Sequence, residues 1–169
     1  SVDIFDIGEL GYIPRWRKIG MLEKFIEIIP EIKKWDKRMY SSQYGDQVMP
    51  EHTSKVPAYN TKLLSAAEAP KKWEDLLDPK WKGQLGMAAD MMIWYTLALG
   101  EKGWGIEKME GFLKKIKQQQ PIWAQSHSAG HNLLVAGEFK IMAGDAIRYI
   151  FRKQREKQPV DWVKVNPVV

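Results

Sequence analysis

The sequence of 169 residues contains no cysteine, which excludes disulfides, zinc–thiolate sites, iron–sulfur clusters and cysteine nucleophiles. It also lacks a long apolar run. The longest stretch, residues 91–99, is about half of the roughly 20 residues that a membrane-spanning helix needs, and we interpret it as a buried helix. The 13 glycines and nine prolines are an ordinary share, which excludes a collagen-like or low-complexity chain.

The motifs of common enzyme classes are missing as well. The sequence has no GxSxG elbow, no P-loop and no glycine-rich dinucleotide turn. Its carboxylate pairs, such as Glu74-Asp75, fall on helical faces that we predict to be exposed. We therefore expect a binding protein rather than an enzyme, and no cofactor.

The net charge is +5, and the basic residues cluster at 33–34, 114–117 and 152–157. Each cluster has helical spacing and lies near acidic residues, which is typical of solvated helix faces. No strand motif that combines aromatic with basic residues accompanies the charge, so we expect no nucleic-acid partner.

The chain begins Ser1-Val2-Asp3-Ile4-Phe5, which is neither an initiator methionine nor a signal peptide. Residues 3–7 alternate apolar and acidic residues like a half-buried strand. We therefore expect a fragment of a larger protein. Apolar residues then recur at helical spacing over 13–35, with Gly20 and Pro30 interrupting them, which predicts two or three short helices. Residues 41–54 are predicted to be a loop.

From residue 55 onward, predicted strands alternate with predicted helices. The strands are expected at 56–59, 84–88, 122–124, 139–143 and 162–165, and the helices at 71–77, 91–101, 106–118, 128–136 and 145–157. This alternation predicts an α/β fold, with a mixed, mostly parallel sheet and helices on both of its faces.

Two phrases carry a resemblance to a known family. Val56-Pro57-Ala58-Tyr59-Asn60-Thr61 is followed by Pro70-Lys71-Lys72-Trp73-Glu74-Asp75-Leu76-Leu77-Asp78-Pro79-Lys80-Trp81-Lys82-Gly83. Together they resemble the ABC-transporter extracellular solute-binding proteins of the ferric-iron-binding type. Two later pieces agree with this: Ala136-Gly137-Glu138 after a helix, and Val160-Asp161-Trp162-Val163 leading to Pro167.

The resemblance implies a type II periplasmic-binding-protein fold, in which two α/β lobes joined by hinge strands close on a solute. Residues 55–169 would be the second lobe, with a hinge strand near 55–60, and residues 1–54 would be a partial tail of the first lobe. The implied parent protein is a monomer, secreted or lipid-anchored, in the periplasm or elsewhere outside the cytoplasm. It would capture a small-molecule or ion solute and deliver it to an ABC permease in the membrane.

Two other functions stay open from the sequence. The effector domains of some bacterial repressors share the two-lobed fold, so the chain could be the ligand-sensing domain of a regulator, although it contains no DNA-binding helix pair. An enzyme is the less favoured alternative.

The candidate site follows from where open α/β sheets bind ligands, which is beyond the carboxyl ends of strands, where helices begin and offer free N–H groups. Three such turns qualify in this sequence. The candidate residues are Asp90 and Met91 in the first turn, Ser126, His127 and Ser128 in the second, and Asp145, Arg148 and Tyr149 in the third. In the first turn, the Asp90 carboxylate beside thioethers suits an organic or cationic solute better than a phosphate. The structural alternative is that Asp90 caps a helix and Met91 packs in the core.

Each of these residues has a structural alternative. Ser126 and Ser128 either cap the helix or offer a hydroxyl to the solute. His127 is a candidate donor, and its spacing of four from His131 is that of metal ligands, but no HExxH motif or third ligand supports a metal. Asp145 either caps a helix or contacts the solute. Arg148 is an exposed helix residue or a fork for a carboxylate or phosphate.

The tyrosines limit what the resemblance can imply about the solute. Ferric-binding members carry adjacent tyrosines near the third turn, whereas residues 147–150 here contain Tyr149 alone. This departure speaks against Fe(III). Tyr149 either packs or turns its hydroxyl to the cleft. Tyr59 and Asn60 are predicted at the crossing between lobes, as hinge residues that border the cleft. One of Trp94 and Tyr95 could also edge the cleft.

Overall fold

The computed structural model describes residues 12–40, 44–48, 54–89, 92–99 and 103–167. The chain divides into two units, Ser1–His52 and Thr53–Val169. The strand predicted at residues 3–7 and the candidate residues Asp90 and Met91 lie outside the described residues. Among the described helices, none has both the length and the apolar character that crossing a bilayer requires.

The first unit contains short helices. Helix α1 spans Ile13–Lys18 and α2 spans Phe25–Ile28, and 3-10 turns follow at Pro30–Lys34 and Lys37–Met39. The prediction of two or three short helices before residue 35 is confirmed. The Arg17 guanidinium donates two hydrogen bonds, at 2.6 and 2.9 Å, to the Asp46 carboxylate. This bidentate pair links α1 to the segment after Tyr40.

The second unit alternates strands and helices. Its strands are β1 Lys55–Asn60, β2 Leu85–Ala88, β3 Ile122–Ala124, β4 Ile141–Ala146 and β5 Val160–Trp162. Its helices are α3 Met92–Leu99, α4 Ile106–Gln118, α5 His127–Ala136 and α6 Ile147–Arg155. Gly137 ends α5 in the left-handed conformation, with φ of 89°, as the sequence predicts.

The helix predicted at residues 71–77 is instead a pair of 3-10 turns, Trp73–Leu77 and Pro79–Trp81. Pro79 has no N–H and disfavours the helical conformation at the residue before it, so an α-helix cannot continue through Asp78. The Asp78 carboxylate accepts from the Lys80 N–H at 3.0 Å and thereby starts the second turn.

The five strands form one sheet in the order β3-β2-β4-β1-β5. Strand β2 pairs in parallel with β3 and β4, whereas β1 pairs antiparallel with β4 and β5. Four strands therefore run in one direction and only β1 opposes them. The predicted α/β fold, with a mixed and mostly parallel sheet, is confirmed. All six residues of the central strand β4 are buried, as expected for a strand covered on both faces.

The direction of β1 decides which residues share an edge of the sheet. The carboxyl ends of β2, β3 and β4 lie at one edge because these strands are parallel. Since β1 runs the other way, its first residue, Lys55, lies at that same edge and pairs with Ala146. We call this end of the sheet, where β2, β3 and β4 end and β1 begins, the binding edge. It is defined by Ala88, Ala124, Ala146 and Lys55.

Two strands are displaced from their predicted positions. Strand β4 begins at Ile141 rather than Phe139 and continues to Ala146, so Asp145 lies in the strand and α6 begins only at Ile147. The backbone of Asp145 stays in the ladder because it pairs with Val56 of β1. Strand β5 begins at Val160, two residues earlier than predicted, because Val160 pairs with Asn60.

The tryptophans of the family phrase form part of the core. Trp73 is fully buried and Trp81 nearly so. Trp94 is also buried, with its ring 6.1 Å from that of Trp73 and 5.9 Å from that of Phe112. It therefore cannot line a cleft, whereas Tyr95 beside it is exposed.

Candidate functional site

Helix α5 begins at the binding edge with a side-chain cap. Ser126 has an extended backbone, and its hydroxyl accepts a hydrogen bond from the Ala129 N–H at 3.2 Å. Ser126 therefore caps the helix, which is the structural alternative for this residue. Ser128 does something different: its hydroxyl donates to the Tyr149 hydroxyl at 3.0 Å. This contact joins the first turn of α5 to the first turn of α6.

Tyr149 lies between positive groups. The Arg148 and Arg152 guanidinium carbons lie 5.1 and 5.4 Å from the centre of its ring, and the His131 ring packs against it at 5.8 Å. The hydrogen bond from Ser128 lowers the pKa of the Tyr149 phenol, and Arg148 and Arg152 lower it further. Ser128, Arg148 and Arg152 thus stabilise negative charge on the phenol oxygen.

We expect Tyr149 to ionise below the ordinary tyrosine pKa of about 10. Ser128→Ala should raise the pKa of Tyr149 again because it removes the largest stabilising contact. The measurement is an ultraviolet absorbance titration in which the Tyr149→Phe curve is subtracted. Tyr59 serves as the internal contrast, since its burial and the neighbouring Asp161 raise its pKa. Identical Tyr149 curves with and without the Ser128 hydroxyl would contradict the assigned contact.

His127 contacts a residue from the start of the second unit. The Lys55 ammonium nitrogen lies 2.7 Å from His127 Nε2. A charged lysine can only donate, so Nε2 accepts and the ring proton of this pair lies on Nδ1. Sequence reasoning missed Lys55. The sequence of β1 carries no signal for it, because only the antiparallel direction of the strand brings its first residue to the edge where the parallel strands end.

Asp145 and His131 form a buried pair behind this surface. Asp145 is fully buried and His131 is 1% exposed, and the imidazole Nδ1 hydrogen-bonds to one carboxylate oxygen. The other oxygen accepts from the Ala146 N–H at 2.9 Å. The interpretation of Asp145 as a helix cap is therefore wrong: α6 has Ala146 at its N-cap and no side-chain cap. His131 is likewise buried, so it is not available at the surface as a metal ligand beside His127.

Tyr59 and Asn60 lie away from the binding edge. They end β1 and pair with Ile141 and Val160, so they lie at the edge opposite Lys55. Both are buried. The Asn60 amide donates to the Leu134 and Val135 carbonyls at 2.8 and 3.3 Å, at the C-terminal end of α5. Asn60 thus binds the final carbonyls of a helix rather than bordering the edge where helices begin. A hinge role for these two residues stays a prediction.

The binding edge therefore brings together five of the candidate residues, Ser126, His127, Ser128, Arg148 and Tyr149, and adds Lys55. Asp145 lies beneath them, and Asp90 and Met91 lie outside the described residues. Within the described ranges, no three His, Asp or Glu side chains are grouped so that they could hold a metal ion. The edge includes two positive side chains, Lys55 and Arg148, and the hydroxyl groups of Ser128 and Tyr149.

Comparison with known proteins now decides the family. The family model of the bacterial extracellular solute-binding proteins matches residues 1–167. The chain belongs to this family. Proteins of the family bind solutes for transport and are not enzymes, and membership gives the protein a periplasmic or extracytoplasmic location. No curated protein matches the chain in sequence.

Solved structures agree with this fold. Iron-bound HitA from Pseudomonas aeruginosa has a TM-score of 0.71 and 20% identity, over 89% of this chain and 49% of its own. An ABC transporter substrate-binding protein from Bradyrhizobium japonicum has a TM-score of 0.68 and 22% identity, over 90% and 49%. AfuA from Actinobacillus pleuropneumoniae, with fructose-6-phosphate bound, has a TM-score of 0.63 and 19% identity, over 88% and 48%. The chain thus spans about half the length of these structures.

Proposed function

We propose that this chain supplies one lobe of the solute-binding component of an ABC importer. The second unit would hold one side of a small polar solute at the binding edge, and a partner lobe would close over the other side. The complete protein would then deliver the solute to a membrane permease. Differential affinity for the closed state would drive the closure.

The observation that carries this proposal is the convergence of two helix starts with a strand start. Ser128 of α5 contacts Tyr149 of α6, and Lys55 of β1 contacts His127 of α5. Ser128 and Arg148 are exposed, and His127 and Tyr149 are partly so. A solute arriving at this edge would therefore meet hydroxyl, imidazole and guanidinium groups from several elements, which is how recognition sites on α/β sheets are built.

We also propose that the site binds without catalysing a reaction. His131 and Asp145 resemble two members of a Ser-His-Asp triad, but both are buried. Within the described part of the chain, His131 Nε2 has no hydrogen-bond partner, and the nearby Ser128 hydroxyl is directed to Tyr149 instead. A nucleophile that is not hydrogen-bonded to its base is not activated, which supports a binding role.

A thermal-shift screen tests the proposed function. The chain is heated alone and with each of four probes: ferric nitrilotriacetate, inorganic phosphate, glucose and spermidine. A probe present at about ten times its Kd should stabilise the folded state by about 1.4 kcal/mol, which raises the melting temperature by a few degrees. Because one lobe makes only part of the contacts, millimolar probe concentrations are needed. If all four probes leave the melting temperature unchanged, the chain has no solute site of its own.

A further inference from the structure

Three positive side chains contact His127 and Tyr149, which lie in the first turns of α5 and α6. Lys55 is 2.7 Å from His127, which opens α5, and Arg148 and Arg152 lie over the ring of Tyr149 in α6. Arg148 and Arg152 are four residues apart on α6, so they project from the same face of the helix. Arg148 lies in the first turn of α6 and is exposed. The charge comes from a strand and a helix that are far apart in sequence.

The hydroxyl groups add directional donors to this charge. The Ser128 hydroxyl already donates to one oxygen, that of Tyr149. That bond and the guanidinium groups of Arg148 and Arg152 lower the pKa of the Tyr149 phenol. The Ser128 hydroxyl and the Arg148 and Arg152 guanidinium groups thus all lie around one oxygen-bearing side chain, in an arrangement that favours negative charge. Helix α5, ten residues long, adds the positive end of its dipole at the same place.

The neighbouring acidic group does not offset this charge at the surface. Asp145 lies directly before the start of α6, and its carboxylate is buried against His131 and the Ala146 N–H. It cannot present oxygens to a cation at the edge. A free metal ion or a polyamine would meet guanidinium and ammonium groups there, and their repulsion disfavours binding.

We propose that the binding edge recognises the oxyanion end of the solute, a carboxylate or phosphoryl group, through Arg148, Lys55 and the hydroxyl of Ser128. This inference rests on the proposed function and names the solute class for it. A guanidinium offers a planar fork that fits two oxygens of such a group, and an ammonium adds a point charge. The Ser128 hydroxyl would exchange its bond with Tyr149 for one with the bound oxyanion.

The test is a nuclear magnetic resonance titration of the isotopically labelled chain with inorganic phosphate and, separately, with succinate. Both probes should shift the amide signals of residues 126–130 and 147–150 in a saturable manner, and added salt should weaken the binding. The relative affinity of the two probes distinguishes a phosphoryl from a carboxylate solute. Glucose and spermidine are titrated in parallel.

Arg148→Ala and Ser128→Ala should each weaken oxyanion binding, about tenfold or more for the arginine because it loses charge-assisted hydrogen bonds. The matched control is Arg155→Ala, which removes the same charge from the last turn of the same helix and should leave the affinity unchanged. Arg148→Lys should recover part of the affinity. Circular dichroism spectra confirm that each variant is folded.

The outcomes separate the two claims. Saturable binding of glucose or spermidine at these amides, without binding of either oxyanion, overturns the solute class and leaves the proposed function in place. Equal losses in the Arg148 and Arg155 variants overturn the assigned site, because only the overall charge would then matter. No binding of any probe overturns both claims for this chain.

Discussion

Replacing Asp145 with alanine is expected to destabilise the second unit by about 3–5 kcal/mol, the cost of breaking a buried pair by removing one partner. Asp145 and His131 have almost no solvent-accessible surface. Alanine would leave the imidazole N–H without its acceptor and would also remove the side-chain partner of the Ala146 N–H. Since small domains unfold with only about 5–15 kcal/mol, such a loss would be a large share of the total stability.

Urea denaturation followed by circular dichroism measures this free energy of unfolding. Asp145→Asn is the isosteric comparison: it keeps an oxygen for the Ala146 N–H, so its cost should be clearly smaller. The matched control is Glu156→Ala, which removes a carboxylate from the exposed Lys153–Glu156 pair and should have little effect. A loss of about 0.5 kcal/mol or less in the Asp145→Ala variant, within the range of ordinary surface substitutions, would contradict the buried pair.

A double-mutant cycle with His131→Ala makes the prediction specific to the pair. Each single variant leaves a buried polar group without its partner, whereas the double variant leaves neither. The cost of the double variant should therefore fall short of the sum of the single costs by 1 kcal/mol or more, within the range of about 0.5–3 kcal/mol found for groups in contact. Additive costs would show that the two side chains stabilise the fold independently.

The clustering of five candidate residues could be predicted because it depends on where helices begin after parallel strands, which the alternation of strands and helices indicates. Strands that alternate with helices imply a parallel sheet, and parallel strands all end at one edge. Ser126, His127, Ser128, Arg148 and Tyr149 follow such strands, and the structure brings them together at the binding edge. Their roles toward a solute stay a prediction.

The roles of Asp145 and Asn60 could not be predicted from the sequence, because each depends on a partner that is distant in sequence. An aspartate after a strand has the pattern of a helix cap, and an asparagine after a strand has the pattern of a turn. In the structure, Asp145 binds His131, 14 residues away, and Asn60 binds the Leu134 carbonyl, 74 residues away. A local pattern carries no information about such partners.

Lys55 shows the same limit for strands. The residues of β1 predict a strand, but nothing in Lys55-Val56-Pro57-Ala58-Tyr59-Asn60 indicates its direction within the sheet. Because β1 is antiparallel to β4, its start and not its end joins the binding edge. For the same reason Tyr59 and Asn60, which end β1, lie at the opposite edge. Only the pairing register distinguishes the two cases.

The second large loss of stability is expected at Trp73, one of the tryptophans in the motif from Pro70 to Gly83 that carries the family resemblance. We expect Trp73→Ala to cost about 3–5 kcal/mol of the free energy of unfolding, as large-to-small changes of a buried aromatic residue do. Trp73 is fully buried, its ring packs edge to face against that of Trp94, and its indole N–H donates to the Pro167 carbonyl at 2.8 Å. The substitution would remove all three contributions and leave a cavity under the 3-10 turn Trp73–Leu77.

The same urea titration gives the measurement, and the chain provides a matched control. Trp123→Ala removes an identical side chain from strand β3, where it is 56% exposed, so its cost should be less than half that of Trp73→Ala. Trp73→Phe should be intermediate, since it keeps an aromatic contact with Trp94 but loses the hydrogen bond that ties residue 73 to Pro167. Equal costs for the Trp73 and Trp123 variants would mean that the family phrase does not form the core around which β2 and α4 pack.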